Sequence, residues 1–144
     1  MIGTQAGLVR MLVGVVAAAA VSVALACDVA STDTIITALM EEPLANRAAA
    51  VAGLLTVEYV PGAGTPPHSH PADTFVYVLE GAIEMQVASG ELKVLKQGET
   101  FYERPTDKHV VSRNASKTER AKFLVMFVKE KSAALVVPEP AAAH

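Results

Sequence analysis

Three histidines stand in the two segments of the chain richest in turn residues. In Gly62-Ala-Gly-Thr-Pro-Pro-His68-Ser-His70 the two rings are spaced i, i+2, so on an extended backbone both point to one face, a geometry that suits chelation. His109 opens the run HVVSRN after a proline-containing turn, with thirty-eight residues between it and His70, and reaches the same cavity only if the strands between them close into a barrel. The fourth histidine, His144, ends the chain. There is no phosphate-cradling glycine loop, Cys-x-x-Cys pair or nucleophile elbow.

The elements that must position these rings read as strands. From Ala49 onward, short β-rich runs are broken by Gly, Pro or polar clusters every 8–12 residues, the habit of a sandwich or barrel. Strands are expected at 50–60, 74–80, 82–88, 91–96, 99–103, 109–114 and 121–129, with no long helix. Ile83, Met85 and Val87 alternate with Glu84 and Gln86, as a half-buried antiparallel strand requires. Gly81 and Ala88-Ser89-Gly90 separate successive runs, so hairpins are the natural connections. Residues 27–48 read as a linker or N-terminal arm, residues 49–137 as one all-β barrel, and residues 138–144 as a disordered tail.

Two stretches carry a family resemblance. PGAGTPPHSHPADTFVYVLEG, from Pro61 to Gly81, resembles the first cupin motif: a glycine, five residues, His-x-His, an acidic residue, then six residues to a glycine. GETFYERPTDKHVVSRN, from Gly98 to Asn114, is similar to the second, with its glycine, proline turn, histidine and asparagine. The resemblance implies a single-domain jelly-roll barrel in which His68, His70 and His109 hold a divalent transition metal (iron, manganese, nickel, zinc or copper). It also implies a small-molecule ligand or substrate and a homodimer. It names no reaction, since cupin barrels host oxygenases, isomerases, lyases and non-catalytic binding modules alike.

The sequence departs from the family pattern in three places. The glutamate of the first motif falls on Thr74, a poor ligand, and Asp73 is one residue early and would face away on a regular strand. Arg104 and Thr106 flank Pro105 where a Pro-x-Gly turn is usual, and His109 and Asn114 stand one residue further apart than the common spacing. Glu103 is the candidate to restore the lost carboxylate, either binding the ion or accepting a proton from a bound water whose acidity the ion raises. The alternative is that Glu103 points to solvent or pairs with Arg104 or Arg113. Arg113 would share a face with His109 and Val111 on a regular strand, where it could grip a substrate carboxylate in bidentate fashion. Among the aromatic residues, which otherwise read as core, Tyr102 is the expected ligand contact.

Composition bounds the partners. The 144-residue chain carries a net charge of −3 without acidic or basic blocks, which argues against a nucleic-acid partner. Residues 8–26, LVRMLVGVVAAAAVSVALA, hold one cation, Arg10, and no acid. With Ala24 and Ala26 at the −3 and −1 positions, residues 1–26 read as a secretory signal peptide, the alternative being an uncleaved anchor at the short edge for spanning a bilayer. Cleavage would leave Cys27 first and take the net charge to −4, in a periplasmic or extracellular protein. Cys27 is the only cysteine, so no intrachain disulfide is possible. Ala24-Leu25-Ala26-Cys27 resembles a lipoprotein box with Ala24 where Leu is usual, and lipidation there would tether the domain to a membrane.

Overall fold

The computed structural model describes residues 34–140; the expected signal peptide, Cys27 and His144 lie outside the described residues. Alternation dictates the strands. In β5 (Ala72–Glu80), Ala72, Thr74, Val76 and Val78 point inward while Asp73, Phe75 and Tyr77 point outward. In β10 (Ala121–Glu130), Ala121, Phe123, Val125 and Phe127 are the buried set. These two pair with each other, β10 pairs on its other side with β2 (Arg47–Tyr59), and β8 (Thr100–Glu103) extends the sheet beyond β5. The fifth strand, β1 (Thr34–Leu44), lies on the outer side of β2. It is drawn from the segment read as a linker or arm, and pairs from Thr34↔Tyr59 to Leu44↔Arg47 with a bulge after Ala38.

The second sheet runs β11 (Val137–Pro138), β4 (His68–Ser69), β9 (Lys108–Asn114), β6 (Ala82–Val87), β7 (Lys93–Lys96), with β3 (Gly64–Thr65) also paired to β9. All pairings are antiparallel, and the core fills the space between the sheets: Leu55, Val57, Val76, Phe123 and Val125 from one face meet Ile83, Met85 and Leu95 from the other. The glycine at 81 is required twice over. It has φ of 70° at the β5–β6 turn, and a Cβ there would run into the Arg120 carbonyl.

One irregularity decides which side chains enter the barrel. In the β6–β9 ladder Gln86 faces Val111 and Val87 faces His109, so Val110 is an extra residue, a β-bulge. The inward set therefore changes phase, from His109 before the bulge to Ser112 and Asn114 after it. Arg113, expected on the face of His109, instead points outward and pairs with Glu84 through its Nε.

Asn114 ties the strand ends together. Its buried Nδ2 donates to the carbonyls of Val60 (3.1 Å) and Glu119 (2.8 Å), with a longer contact to that of Tyr59 (3.3 Å), while its Oδ1 accepts from the Ser116 N–H at 2.9 Å. The outer face of the five-stranded sheet bears a row in which each residue faces the next across the ladder: Met40, Leu54, Met126, Phe75 and Tyr102. Replacing Asn114 with Ala leaves several buried carbonyls short of a donor and should cost about 2–3 kcal/mol. The urea midpoint should fall at unchanged slope; a shift equivalent to less than about 0.5 kcal/mol would show that water serves those carbonyls instead.

Candidate metal centre

Register brings the histidines together. The two-residue strand β4 pairs His68 directly opposite His109, and His70 follows two residues on. The ring centroids of His68 and His70 are 4.8 Å apart, and those of His68 and His109 are 5.2 Å apart. One ligand nitrogen from each of the three lies within 4.8 Å of the others, so this group could hold a metal ion.

Two of the rings are oriented from behind by backbone carbonyls. His68 Nδ1 lies 2.7 Å from the Pro66 carbonyl and His70 Nδ1 lies 2.7 Å from that of Leu135. A carbonyl only accepts, so each Nδ1 donates a proton to it and Nε2 is the nitrogen left to face the group, the arrangement typical of metal-binding imidazoles. His109 is different: it is 3% exposed, and among the described residues neither ring nitrogen has a hydrogen-bond partner. The Phe101 ring lies nearly parallel to it at 6.1 Å. Burial, reinforced by His68 and His70, holds the His109 imidazole down at about 3, and burial lowers His70 as well. Near neutral pH these rings are uncharged, the form that ligates.

Glu103 closes the group. It is 3% exposed, and its Oε2 lies 3.4 Å from His109 Nδ1 and 3.6 Å from His70 Nε2. Burial, with the nearby negative charge of Asp107, pushes its carboxyl up to about 7. With His109 neutral, the short contact is not an ion pair. Two donors on one ion at roughly 2.1 Å, at angles between octahedral and tetrahedral, stand about 3.0–3.4 Å apart, close to these separations. The residues present therefore fit a divalent ion: three imidazoles, one of them (His109) buried with unused hydrogen-bonding capacity, and one carboxylate.

The first-motif position is also resolved in space. Thr74 is buried with an unpartnered hydroxyl, and it sits directly across the β5–β8 ladder from Glu103. The carboxylate missing from position 74 is thus available one strand over. Asp73 faces outward and accepts a hydrogen bond from the Tyr102 hydroxyl. Tyr102 stacks on Phe75 outside the barrel, so neither Tyr102 nor Arg113 stands with the histidines.

Sequence reasoning took one contributor for ordinary core or barrel lining and missed another. Tyr59, fully inside, bonds Ser112 Oγ at 2.8 Å and makes a longer contact to Thr65 Oγ1 at 3.3 Å; burial keeps its phenol protonated. Its place in a predicted strand gave no hint of this. The second is the C-terminal segment, expected to fray from Pro138. Val137 and Pro138 pair with Ser69 and His68, the Glu139 N–H donates to the Pro67 carbonyl, and its carboxylate bonds Lys108 at 2.9 Å. The apolar run Leu135-Val136-Val137 was the available signal. Leu135 and Val136 help enclose a cavity of about 260 Å³ that contains the histidines, Glu103 and Thr74.

A family model described as a cupin domain matches residues 55–127, a little over half the chain. The chain belongs to the cupin family. No curated protein matches it. Among solved structures, this cupin is similar to a DMSP lyase, DddQ, from Ruegeria pomeroyi (TM-score 0.64, 18% identity, covering 84% of this chain and 58% of that one). It is also similar to an oxalate oxidase in complex with the substrate analogue glycolate (TM-score 0.58, 22% identity, 76% of this chain and 62% of that one). A conserved protein with a double-stranded β-helix domain from Klebsiella pneumoniae aligns with TM-score 0.59 and 21% identity over 76% of this chain and 88% of that one. The cupin described here thus spans about three-fifths of the length of the first two, and at these identities the likeness is one of fold.

Within the cupin barrel, His70 alone depends on a carbonyl from outside the motif strands. A chain ending at Ala134 should lose the single Nδ1-protonated tautomer of His70 while His68, held by Pro66, keeps its own. Long-range proton–nitrogen NMR spectra report both; an unchanged His70 would show that the C-terminal segment does not orient it.

Proposed function

We propose that this cupin is an exported, metal-dependent enzyme acting on a small molecule, of oxygenase, isomerase or lyase type. The observation that carries the reading is His109: an imidazole buried with both nitrogens unpartnered, facing a buried carboxylate and two rings already oriented from behind. A bound ion would supply Lewis acidity toward a substrate oxygen or, if redox-active, a route to dioxygen. His68, His70 and His109 would hold it. Glu103 would complete the donor set or take up a proton from the reacting group, and Thr74 can donate a hydrogen bond into the cavity. Solved relatives in fold include an oxalate oxidase and a DMSP lyase, which supports enzymatic use of such a barrel without naming a substrate here.

A second reading, a capture module for a small ligand or the ion itself, is favoured by one observation. Among the described residues Glu103 is the only carboxylate lining the cavity, so its use as a fixed ligand would leave no other of them to serve as base.

His68→Ala and His109→Ala should each abolish stoichiometric metal, measured by elemental analysis, in a chain that still melts cooperatively. Full occupancy in either variant would end the metal reading. In the wild type, Glu103 keeps its proton below about 7 and must release it to become a donor. Affinity for zinc should therefore rise with pH, up to about tenfold per unit, and flatten above pH 7. Glu103→Gln should remove the part of the rise that belongs to this proton; a pH profile identical to wild type would take the carboxylate out of the donor set.

The reading includes export and pairing. The apolar run 8–26 supports cleavage after Ala26, and the row from Met40 to Tyr102 supports association of two copies through the sheet face. Mass spectrometry should find a mature chain beginning at Cys27, with or without lipid, and light scattering should find a dimer that Phe75→Glu weakens. An intact N-terminus or a monomer across a concentration series would remove the respective part.

A further inference from the structure

A second polar group stands in the cavity, apart from the histidines. Tyr59, at the end of β2, reaches across from the first sheet and sets its hydroxyl between two side chains of the second: Ser112 Oγ at 2.8 Å and Thr65 Oγ1 at 3.3 Å. Thr65 and Ser112 face each other across the β3–β9 ladder. Gly64 lets these strands lie that close, since a Cβ there would stand 2.6 Å from the Ser112 carbonyl oxygen. All three hydroxyl-bearing residues line the cavity. Tyr59 stands beside Ala121 of β10, and Thr74 beside Phe127, six residues along the same strand. The trio and the Thr74–Glu103 pair therefore mark opposite ends of the cavity, with Phe123 and Val125 between them.

Three hydroxyls carry three O–H donors, and their two contacts use two of them. Whichever way this chain of bonds runs, one O–H is left over, and among the described residues it has no acceptor. Tyr59 is 1% exposed and Ser112 6%. Their neighbours hold no oxygen to take the proton: Met85 faces Ser112, and the Phe123 ring meets that of Tyr59 edge-on at 5.3 Å. A buried donor left unspent in such surroundings is a place for an oxygen atom. No Lys or Arg among the described residues lines the cavity, so an anionic oxygen would lie there unpaired, at a cost that a neutral one escapes.

We infer that the Tyr59–Ser112–Thr65 trio is an anchoring point for the uncharged carbonyl oxygen of a small apolar ligand, a ketone or a lactone, held without help from an ion. The anchoring point shares its cavity with the proposed metal centre but stands whether or not a metal binds. A cavity of about 260 Å³ has the room of roughly eight or nine waters at about 30 Å³ each, which restricts such a ligand to one small ring or a short chain.

The test uses the full mature protein, freed of metal by chelation, with cyclohexanone as the probe and methylenecyclohexane, the same shape without the oxygen, as its control. Amide shifts in proton–nitrogen NMR spectra give each affinity, which is divided by the compound's partition from water into hexadecane to remove the cost of leaving water. The normalised value for cyclohexanone should be at least about tenfold the larger. Tyr59→Phe combined with Ser112→Ala should bring the two values together while methylenecyclohexane still binds. In the wild type, which needs no variant to fold, nuclear Overhauser effects from the methylene protons flanking the carbonyl should reach the Tyr59 ring. Equal normalised values in the wild type would mean that the trio keeps a water instead, and would overturn the inference. So would an undiminished ratio in the double variant, or Overhauser contacts that fall on the Thr74 methyl group. Zinc affinity, measured separately, bears on the metal reading alone.

Discussion

Burying an imidazole without hydrogen bonds costs on the order of 1–3 kcal/mol, and His109 bears that cost inside an apolar barrel. The surrounding structure is arranged around it. Cross-strand pairing with His68 fixes its backbone, the ring of Phe101 lies over it, and Glu103 approaches from the opposite sheet. Low local polarity keeps the imidazole neutral and the carboxyl reluctant to ionise, so the pair carries little charge until a cation offsets the burial of an anion. Stability of the protein alone and affinity for an ion are in that sense set against one another at a single contact.

The barrel does more than enclose this contact. Its two sheets deliver complementary chemistry: the second sheet brings imidazoles on β4 and β9, and the first brings the carboxylate and the threonine hydroxyl on β8 and β5. Because Thr74 and Glu103 face each other across one ladder, a carboxylate can pass from one strand to its neighbour and still reach the same space. Side chains on facing strands are near-equivalent in space though far apart in sequence.

How much of this was legible in the residues depends on which physical signal carried it. The barrel strands announced themselves by alternation, and β2, β5, β6 and β10 lie where the hydrophobic period puts them. Strand β1 did not, because most of its residues are exposed and its polar and apolar residues follow no period of two. The strands β3, β4 and β11 are two residues long, too short for any pattern. At the site, the i, i+2 spacing of His68 and His70 and the position of Glu103 were readable. Arg113 misled because a single bulged residue at Val110 reverses the inward face, and nothing in HVVSRN marks a bulge. The carbonyl of Leu135 could not have been found at all, since every residue but one type carries the same backbone donor and acceptor and only the fold says which is used.

That carbonyl gives the centre two kinds of support. His68 and His109 owe their approach to the ladder between β4 and β9, whereas the His70 ring takes its aim from a residue 65 positions further along the chain. A change in the backbone at Leu135 can therefore re-aim one ligand without touching the ladder that joins the other two, so the segment after β10 is a place where the centre can be tuned from outside its own strands.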